Sequence, residues 1–338
     1  MTRSRKLVMA SVVTVLLLAA GEGVAQLVER MLPPRTLPLP TQSCDGQCLE
    51  GAASLPPRPD LVPREGGHGW LFEPNTRTMQ GVLCDINGLG LRGKDPEPRV
   101  PGELRLVSVG DSSAFGYGVE EDEVFLSVAA AALESRLGRR VTPMNAAIPG
   151  HAAKHSLAIV KDLGEDLDPD WLVITNIWSD LYHQTNLAPE RSPSAAYRMA
   201  KRLLTPLLPP RTIGWLEPDQ GHGQPGLGRE PRSDLVDYQR NLHAMAELAE
   251  ERGVRSLFLL LPAPMDLESQ PVPGWIADYR AVMRGVAEDA GAPLVEGPEA
   301  LKAADLGPEG FFDNVHPSGP THRALGEALA EILAAELD

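Results

Sequence analysis

Beyond Pro101 the chain alternates short apolar runs with longer amphipathic stretches, and no other feature limits its fold so sharply. Strand-like runs fall at 104–109, 141–146, 171–176, 254–261 and 293–296, and helical spacing fills 123–137, 152–163, 235–252, 275–290 and 321–337. Such alternation implies parallel strands joined by helical crossovers, because parallel neighbours cannot be connected by a tight turn. Runs such as Ser256-Leu-Phe-Leu-Leu-Leu-Pro262 lack the two-residue alternation of a half-solvated strand and read as buried on both faces. The expected product is an α/β domain, a three-layer α/β/α sandwich around a parallel sheet of about five strands. Within the helix at 123–137, Val124, Val128, Ala131, Leu133 and Leu137 are expected to form the core face.

The rest of the chain divides around this domain. Arg3, Arg5 and Lys6 precede an uncharged apolar run from Leu7 to Ala20. That run is shorter than the ~18–20 apolar residues of a full span. It reads either as a signal peptide cleaved after Gly23-Val-Ala25 or, since apolar residues continue toward Met31, as a retained N-terminal membrane anchor. Either way the basic flank leaves the body outside the cytoplasm, in the cell envelope. Residues 32–100 are rich in proline and glycine and are expected to be a linker and a small irregular subdomain, followed by the α/β domain at 101–338. An insertion at 181–234 interrupts the alternation, with a helical stretch near 195–204; placed straight after a strand, it reads as a lid over the sheet edge or as a surface loop.

Charge and cysteines narrow the chemistry. With 46 acidic and 31 basic residues the net charge is −15, which repels phosphate backbones, so no nucleic-acid partner is expected. Cys44 and Cys48 lie three residues apart with no second Cys or His pair beside them, so a disulfide is favoured over a metal site. Cys84 is the third cysteine, and the sequence leaves the pairing open. His151 and His155 share a helix face, but no Glu follows His151 and they are read as rim or solvent histidines. No metal and no cofactor is expected, since no phosphate-binding glycine loop is present.

Two short motifs carry the reactive groups. The run Leu104-Arg-Leu-Val-Ser-Val109 empties into Gly110-Asp111-Ser112-Ser113, and Asp313-Asn-Val-His316-Pro317 stands near the far end. A serine hydroxyl becomes a nucleophile when a base takes its proton, and the base needs a carboxylate to fix its tautomer. A serine just past a buried strand lies at the carboxyl edge of the sheet, where open α/β folds place their sites.

These blocks, with Asn145-Ala-Ala-Ile-Pro-Gly150 and Asp170-Trp-Leu-Val-Ile-Thr-Asn-Ile-Trp-Ser-Asp180, resemble those of the SGNH, or GDSL-type, hydrolase family over roughly residue 99 to the C-terminus. The resemblance implies a flavodoxin-like sheet and a serine esterase. Ser112 would be the nucleophile, His316 the base and Asp313 its orienter, with the backbone N–H groups of Ser112 and Gly150 holding the oxyanion. In the family a Gly-x-Asn-Asp block supplies a third donor from its asparagine. Alignment on Asp180 puts Ser179 at that position, and Asn176 is the other candidate; Asp111 and Asp180 are read as structural. A segment like Asn87-Gly-Leu-Gly-Leu-Arg92 precedes the Gly-Asp-Ser block in some exported relatives, which implies packing on the domain, with Arg92 read as structural or as reaching the site's rim. The expected substrate is an ester-bearing small molecule, glycan or lipid. Two rival readings remain: an O-acyltransferase acting on a cell-envelope glycan, and a non-catalytic binding module on the same scaffold.

Overall fold

The computed structural model describes Gly21, Gly23, Val24 and residues 62–63, 70–181, 233–267 and 272–337. By contacts the chain divides into residues 1–41 with 185–221 and residues 42–184 with 222–338, and the elements below belong to the second unit. The expected signal or anchor, Cys44 and Cys48, and nearly all of the expected lid lie outside the described residues. Among the described residues no helix is long and apolar enough to cross a membrane.

Four short strands precede the domain. β1 (Val62–Pro63) pairs antiparallel with β2 (Trp70–Leu71), and β3 (Thr76–Gln80) with β4 (Val82–Ile86). This stretch was expected to be irregular. The β3–β4 hairpin escapes a pattern search because β3 is Thr-Arg-Thr-Met-Gln, with four of its five residues polar, and turns through Gly81 at φ +80°. Bridges from Arg92 to Ile86 and to Asn145 attach it to the edge of the main sheet.

The domain proper then runs β5 (Leu104–Val109), α1 (Ser112–Phe115), α2 (Phe125–Leu137), β6 (Val141–Asn145), α3 (Ala153–Leu167), β7 (Trp171–Ile174) and α4 (Trp178–Leu181). It continues with α5 (Leu235–Glu251), β8 (Arg255–Leu260), α6 (Gly274–Asp289), β9 (Leu294–Glu296), α7 (Gly297–Ala303) and α8 (Gly319–Leu337). The five strands are parallel, in the order β6-β5-β7-β8-β9. Every residue of β5 and β7 is buried, as are the last four of β8, because helices cover both faces. The strand order is that of a flavodoxin-like sheet, and the chain reverses direction across the sheet between β5 and β7, so the crevice beyond their carboxyl ends is the topological switch point.

Helix boundaries follow from their caps. α1 begins where Asp111 accepts the N–H of Ser113 and ends at Gly116 in the left-handed region, and α5 begins at Asp234, which accepts the N–H of Asp237 at 2.7 Å. The N-terminus of α2 is capped from outside its own segment: Phe125 N–H donates to Nδ1 of His322 on α8 at 3.2 Å. The expected core face of α2 is met at Val124, just before the helix, and at Leu133, and is corrected at Ala131. Phe125, Leu126, Ala129, Ala130 and Leu133 are buried while Ala131 is exposed, because the helix is wedged between the sheet and α8 and buries two adjacent rows.

Opposite the crevice, at the amino ends of the strands, charged residues converge. The Glu103 carboxylate accepts from Thr142 Oγ1 at 2.6 Å, from Val100 N–H at 2.8 Å and from Arg105 Nε at 3.1 Å. Burial alone would raise its pKa, but these donors outweigh it and hold it at about 2.

Candidate active site

The end of β5 and the end of β7 approach so closely that a Cβ at Gly110 would collide with the Thr175 hydroxyl. The Thr175 N–H and hydroxyl both donate to the carbonyl of Val109, at 3.1 and 2.8 Å. Asp111 then joins two helix starts. Its Oδ1 accepts Ser113 N–H and its Oδ2 accepts Ser179 N–H, each at 3.0 Å, with Trp178 N–H also on the carboxylate. The side chain is fully buried; burial raises its pKa, and the backbone donors oppose that rise. Asp111 is thus a brace between α1 and α4, one residue before Ser112, in agreement with its structural reading.

The loop after β9 and α7 brings the second motif to the same point. His316 Nε2 lies 2.7 Å from Ser112 Oγ, and His316 Nδ1 lies 2.6 Å from Asp313 Oδ2. An ionised carboxylate can only accept, so the imidazole carries its proton on Nδ1 and offers Nε2 to the serine hydroxyl. The other oxygen, Asp313 Oδ1, accepts the N–H groups of Val315 and His316 at 2.9 Å each, so one carboxylate shapes the loop and orients the ring. The loop is closed at its base by Phe312 N–H to the His316 carbonyl at 2.9 Å. Asp313 is more than a third exposed and His316 only 11%, so the ring sits against protein: the Tyr117 ring packs on it with centroids 4.8 Å apart.

One contact here has no counterpart in the sequence reading. Ser113, the second serine of the motif, donates its hydroxyl to the Val315 carbonyl at 2.8 Å and ties the nucleophile turn to the histidine loop across 202 residues of chain. Nothing local marks it out; a serine at the second position of a helix is ordinary.

The remaining candidates separate. Gly150 sits in a turn at φ +81°, reached by residues 146–148, which run beside β5's end through Ala146 N–H to Ser108 O at 2.8 Å and Ile148 N–H to Gly110 O at 3.1 Å. Ser179 is half-buried on α4, with its N–H on the Asp111 carboxylate. Asn176 is fully buried, its Nδ2 3.4 Å from the His151 carbonyl, while its own carbonyl accepts the Tyr238 phenol at 2.5 Å. Its amide is turned toward the chain behind Gly150. Asp180 is also inward: it accepts Ala153 N–H at the start of α3 and the Ser233 hydroxyl at 2.6 Å.

Other residues singled out earlier are placed as follows. His151 and His155 are buried side by side with ring centroids 5.1 Å apart, a correction to their reading as rim or solvent groups; His155 Nδ1 accepts Ala152 N–H at 3.0 Å at the foot of α3. Among the described residues no three His, Cys, Asp or Glu side chains gather as a metal site. Cys84 is a free, buried thiol, and burial pushes its pKa up to about 11. Arg92 is buried and ion-paired to Glu121 at 2.6 Å, so it lines no rim.

A hydrogen-bonded Ser-His-Asp chain at the switch point of a five-stranded parallel sheet defines a class of hydrolase folds, and sequence comparison gives the family. The model of the GDSL-like lipase/acylhydrolase family matches residues 108–324, and the chain belongs to that family of ester hydrolases. No curated protein matches the chain in sequence. Among solved structures it is similar to a lipase/acylhydrolase from Enterococcus faecalis, at 16% identity over 69% of this chain and 96% of that one, with a TM-score of 0.47. It is similar also to a psychrotrophic esterase from Pseudoalteromonas sp., at 14% identity over 69% and 98%, TM-score 0.44. A third is an acetylxylan esterase from Geobacillus stearothermophilus, at 15% identity over 68% and 93%, TM-score 0.45. Similarities at this level speak to neither substrate nor mechanism.

Proposed function

We propose that the protein is an exported serine esterase that hydrolyses an acyl or acetyl ester on a glycan or lipid through an acyl-enzyme. The observation that carries the proposal is the continuous chain Ser112 Oγ, His316 Nε2, His316 Nδ1, Asp313 Oδ2, with both links at hydrogen-bond length before any substrate is bound. Ser112 Oγ attacks the ester carbonyl carbon as its proton passes to His316 Nε2. The negative charge that develops on the carbonyl oxygen meets the N–H groups of Ser112 and Gly150, with the Ser179 hydroxyl as the third donor. The carbon–oxygen bond to the leaving alcohol breaks, and His316 returns the proton to that alcohol. A water then loses a proton to His316 and attacks the acyl carbon, and Ser112 leaves with the proton restored.

Asn176 is the other candidate for the third donor; its Nδ2 lies 3.4 Å from the His151 carbonyl, which engages one of its two N–H groups. Export is supported by the basic residues and apolar run at the N-terminus, which would deliver the domain to envelope glycans and lipids. A reporter fused after Asp338 should then be active only outside the cytoplasm, and cytoplasmic activity would remove the export half of the proposal.

The catalytic half is tested on the full chain in detergent with a fluorophosphonate probe and short p-nitrophenyl esters. Labelling at Ser112 with steady turnover supports the esterase. Labelling with turnover only when a sugar hydroxyl is supplied would replace it with the O-acyltransferase, and absence of labelling with the binding module.

A further inference from the structure

Arg92 precedes the matched family domain by sixteen positions in the chain, yet its guanidinium is built into the turn that carries Ser112. The residue is 3% exposed. Nη1 donates to the carbonyls of Phe115 at 2.7 Å and Gly116 at 2.8 Å, Nη2 to the carbonyl of Val119 at 2.7 Å, and Nε to Glu121 Oε2 at 2.6 Å. Its charge also lies 4.9 Å from the centre of the Phe115 ring.

The Phe115 and Gly116 carbonyls are ones that a helix as short as α1 leaves over, and Val119 and Glu121 belong to the turn that follows it. A single turn cannot satisfy the carbonyls of its own last residues, and buried carbonyls need partners. Asn145, which bridges to Arg92, donates its amide to Ala114 and Phe115 carbonyls at 3.3 and 3.2 Å and completes the set. From the other side, the Ser112 carbonyl accepts the N–H groups of Gly116 and Tyr117, and the Tyr117 ring rests on His316. The β3–β4 turn touches the same segment, with Gly118 N–H donating to Gln80 O at 2.7 Å.

On the reading of Ser112 as nucleophile, we infer that Arg92 is a positioning residue for catalysis and that the catalytic unit begins with the β3–β4 hairpin rather than at the start of the family domain. Arg92 touches neither the serine hydroxyl nor the imidazole. It fixes the far end of the one-turn helix whose near end carries Ser112, and the turn whose tyrosine backs His316. The planar fork suits four acceptors spread over two sides; an ammonium has the charge but not the reach or the geometry.

The test uses the full chain and two readouts, the rate of fluorophosphonate labelling and the kinetics on p-nitrophenyl acetate. Arg92→Lys should lower kcat and the labelling rate by ~10–10²-fold with KM changed by less than about twofold, the signature of a misplaced nucleophile. Glu121→Ala keeps the guanidinium but frees one corner of it, and should lower both rates by about 3–10-fold, so it decides the matter where Arg92→Lys fails to fold. Glu103→Gln, at the opposite end of the strands, serves as a destabilised control whose kcat per folded molecule should stay that of the parent. Unchanged rates in folded Arg92→Lys or Glu121→Ala, or a rise in KM alone, would overturn the inference. The parent protein separates the two levels of argument: if it is not labelled at Ser112, the nucleophile reading itself fails.

Discussion

His322 gives the structure a dependence on pH that can be worked through in advance. The ring is fully buried on α8, six residues after His316, and its Nδ1 accepts the Phe125 N–H that opens α2. Burial, then the charges of Arg92 and His316, push its pKa down from 6.5 to about 3. The unfolded chain therefore binds a proton between these values that the folded chain refuses, so stability is intact above pH 6.5 and drains away as pH falls toward 3. Each pH unit inside that window removes about 1.4 kcal/mol, and from pH 6.5 to 4.5 the loss is about 2–3 kcal/mol, a large share of a typical domain's stability. In His322→Gln the side-chain oxygen can still accept from Phe125, but nothing titrates. Urea unfolding followed by circular dichroism at pH 7.5, 6.5, 5.5 and 4.5 should show the parent losing stability toward acid more steeply than the variant, with the gap at neutral pH narrowing by about 2–3 kcal/mol. Parallel curves for the two proteins would refute the assignment of His322 as a buried neutral cap.

The triad predicts that Ser112→Ala and His316→Ala each remove ~10³-fold or more of the esterase turnover with the fold unchanged by circular dichroism, and that Asp313→Asn costs no more than either; near-normal turnover by Ser112→Ala would dismiss the nucleophile. Ser179→Asn should raise turnover on a small acetyl ester and Ser179→Ala should lower it, because a donor aimed at the oxyanion acts mainly in the transition state; kinetics of the pair unaltered in both directions would show that two backbone donors suffice. Glu103→Gln should lose stability at neutral pH and flatten the acid limb below pH 4.5: with a folded pKa of about 2, the parent's carboxylate contributes stability above pH 4.5 that is lost as pH falls through 2, on the order of 2–3 kcal/mol, read as a difference between urea midpoints.

The sheet was legible because its strands are buried on both faces and so appear as unbroken apolar runs. The strands at β5, β7 and β8 were read to within two residues at each end, and so were the helices α5, α6 and α8. What escaped has a physical explanation in each case. The β3–β4 hairpin alternates weakly, with Thr78 buried and Arg77 exposed, and it sits in a stretch whose prolines and glycines argue for irregular chain. α7 begins at Gly297-Pro298 and has only seven residues, too few to show a period. In α2 the row through Val124 and Leu133 was read and the row through Phe125, Leu126, Ala129 and Ala130 was missed, since the identity of the neighbour that a helix buries against, here α8, is not written in its own spacing.

At the site, side chains that act on neighbours in sequence were readable and those that act through the backbone were not. Asp313 and His316 are three apart, and a carboxylate there can reach both the ring and the loop's N–H groups. Arg92 and Ser113 work on carbonyl groups, which every residue carries, so no partner can be named from the sequence. The third donor shows the same limit at closer range. Asn176 and Ser179 are both polar, and each is held by contacts to the backbone that its own stretch of sequence does not announce. The N–H groups at the start of α4, that of Ser179 among them, converge on the Asp111 carboxylate. Asn176, ahead of the helix, accepts the Tyr238 phenol on its backbone carbonyl and has its Nδ2 3.4 Å from the His151 carbonyl. A carboxylate that brackets two helix starts, rather than either polar side chain, is what joins this block to the Gly-Asp-Ser motif.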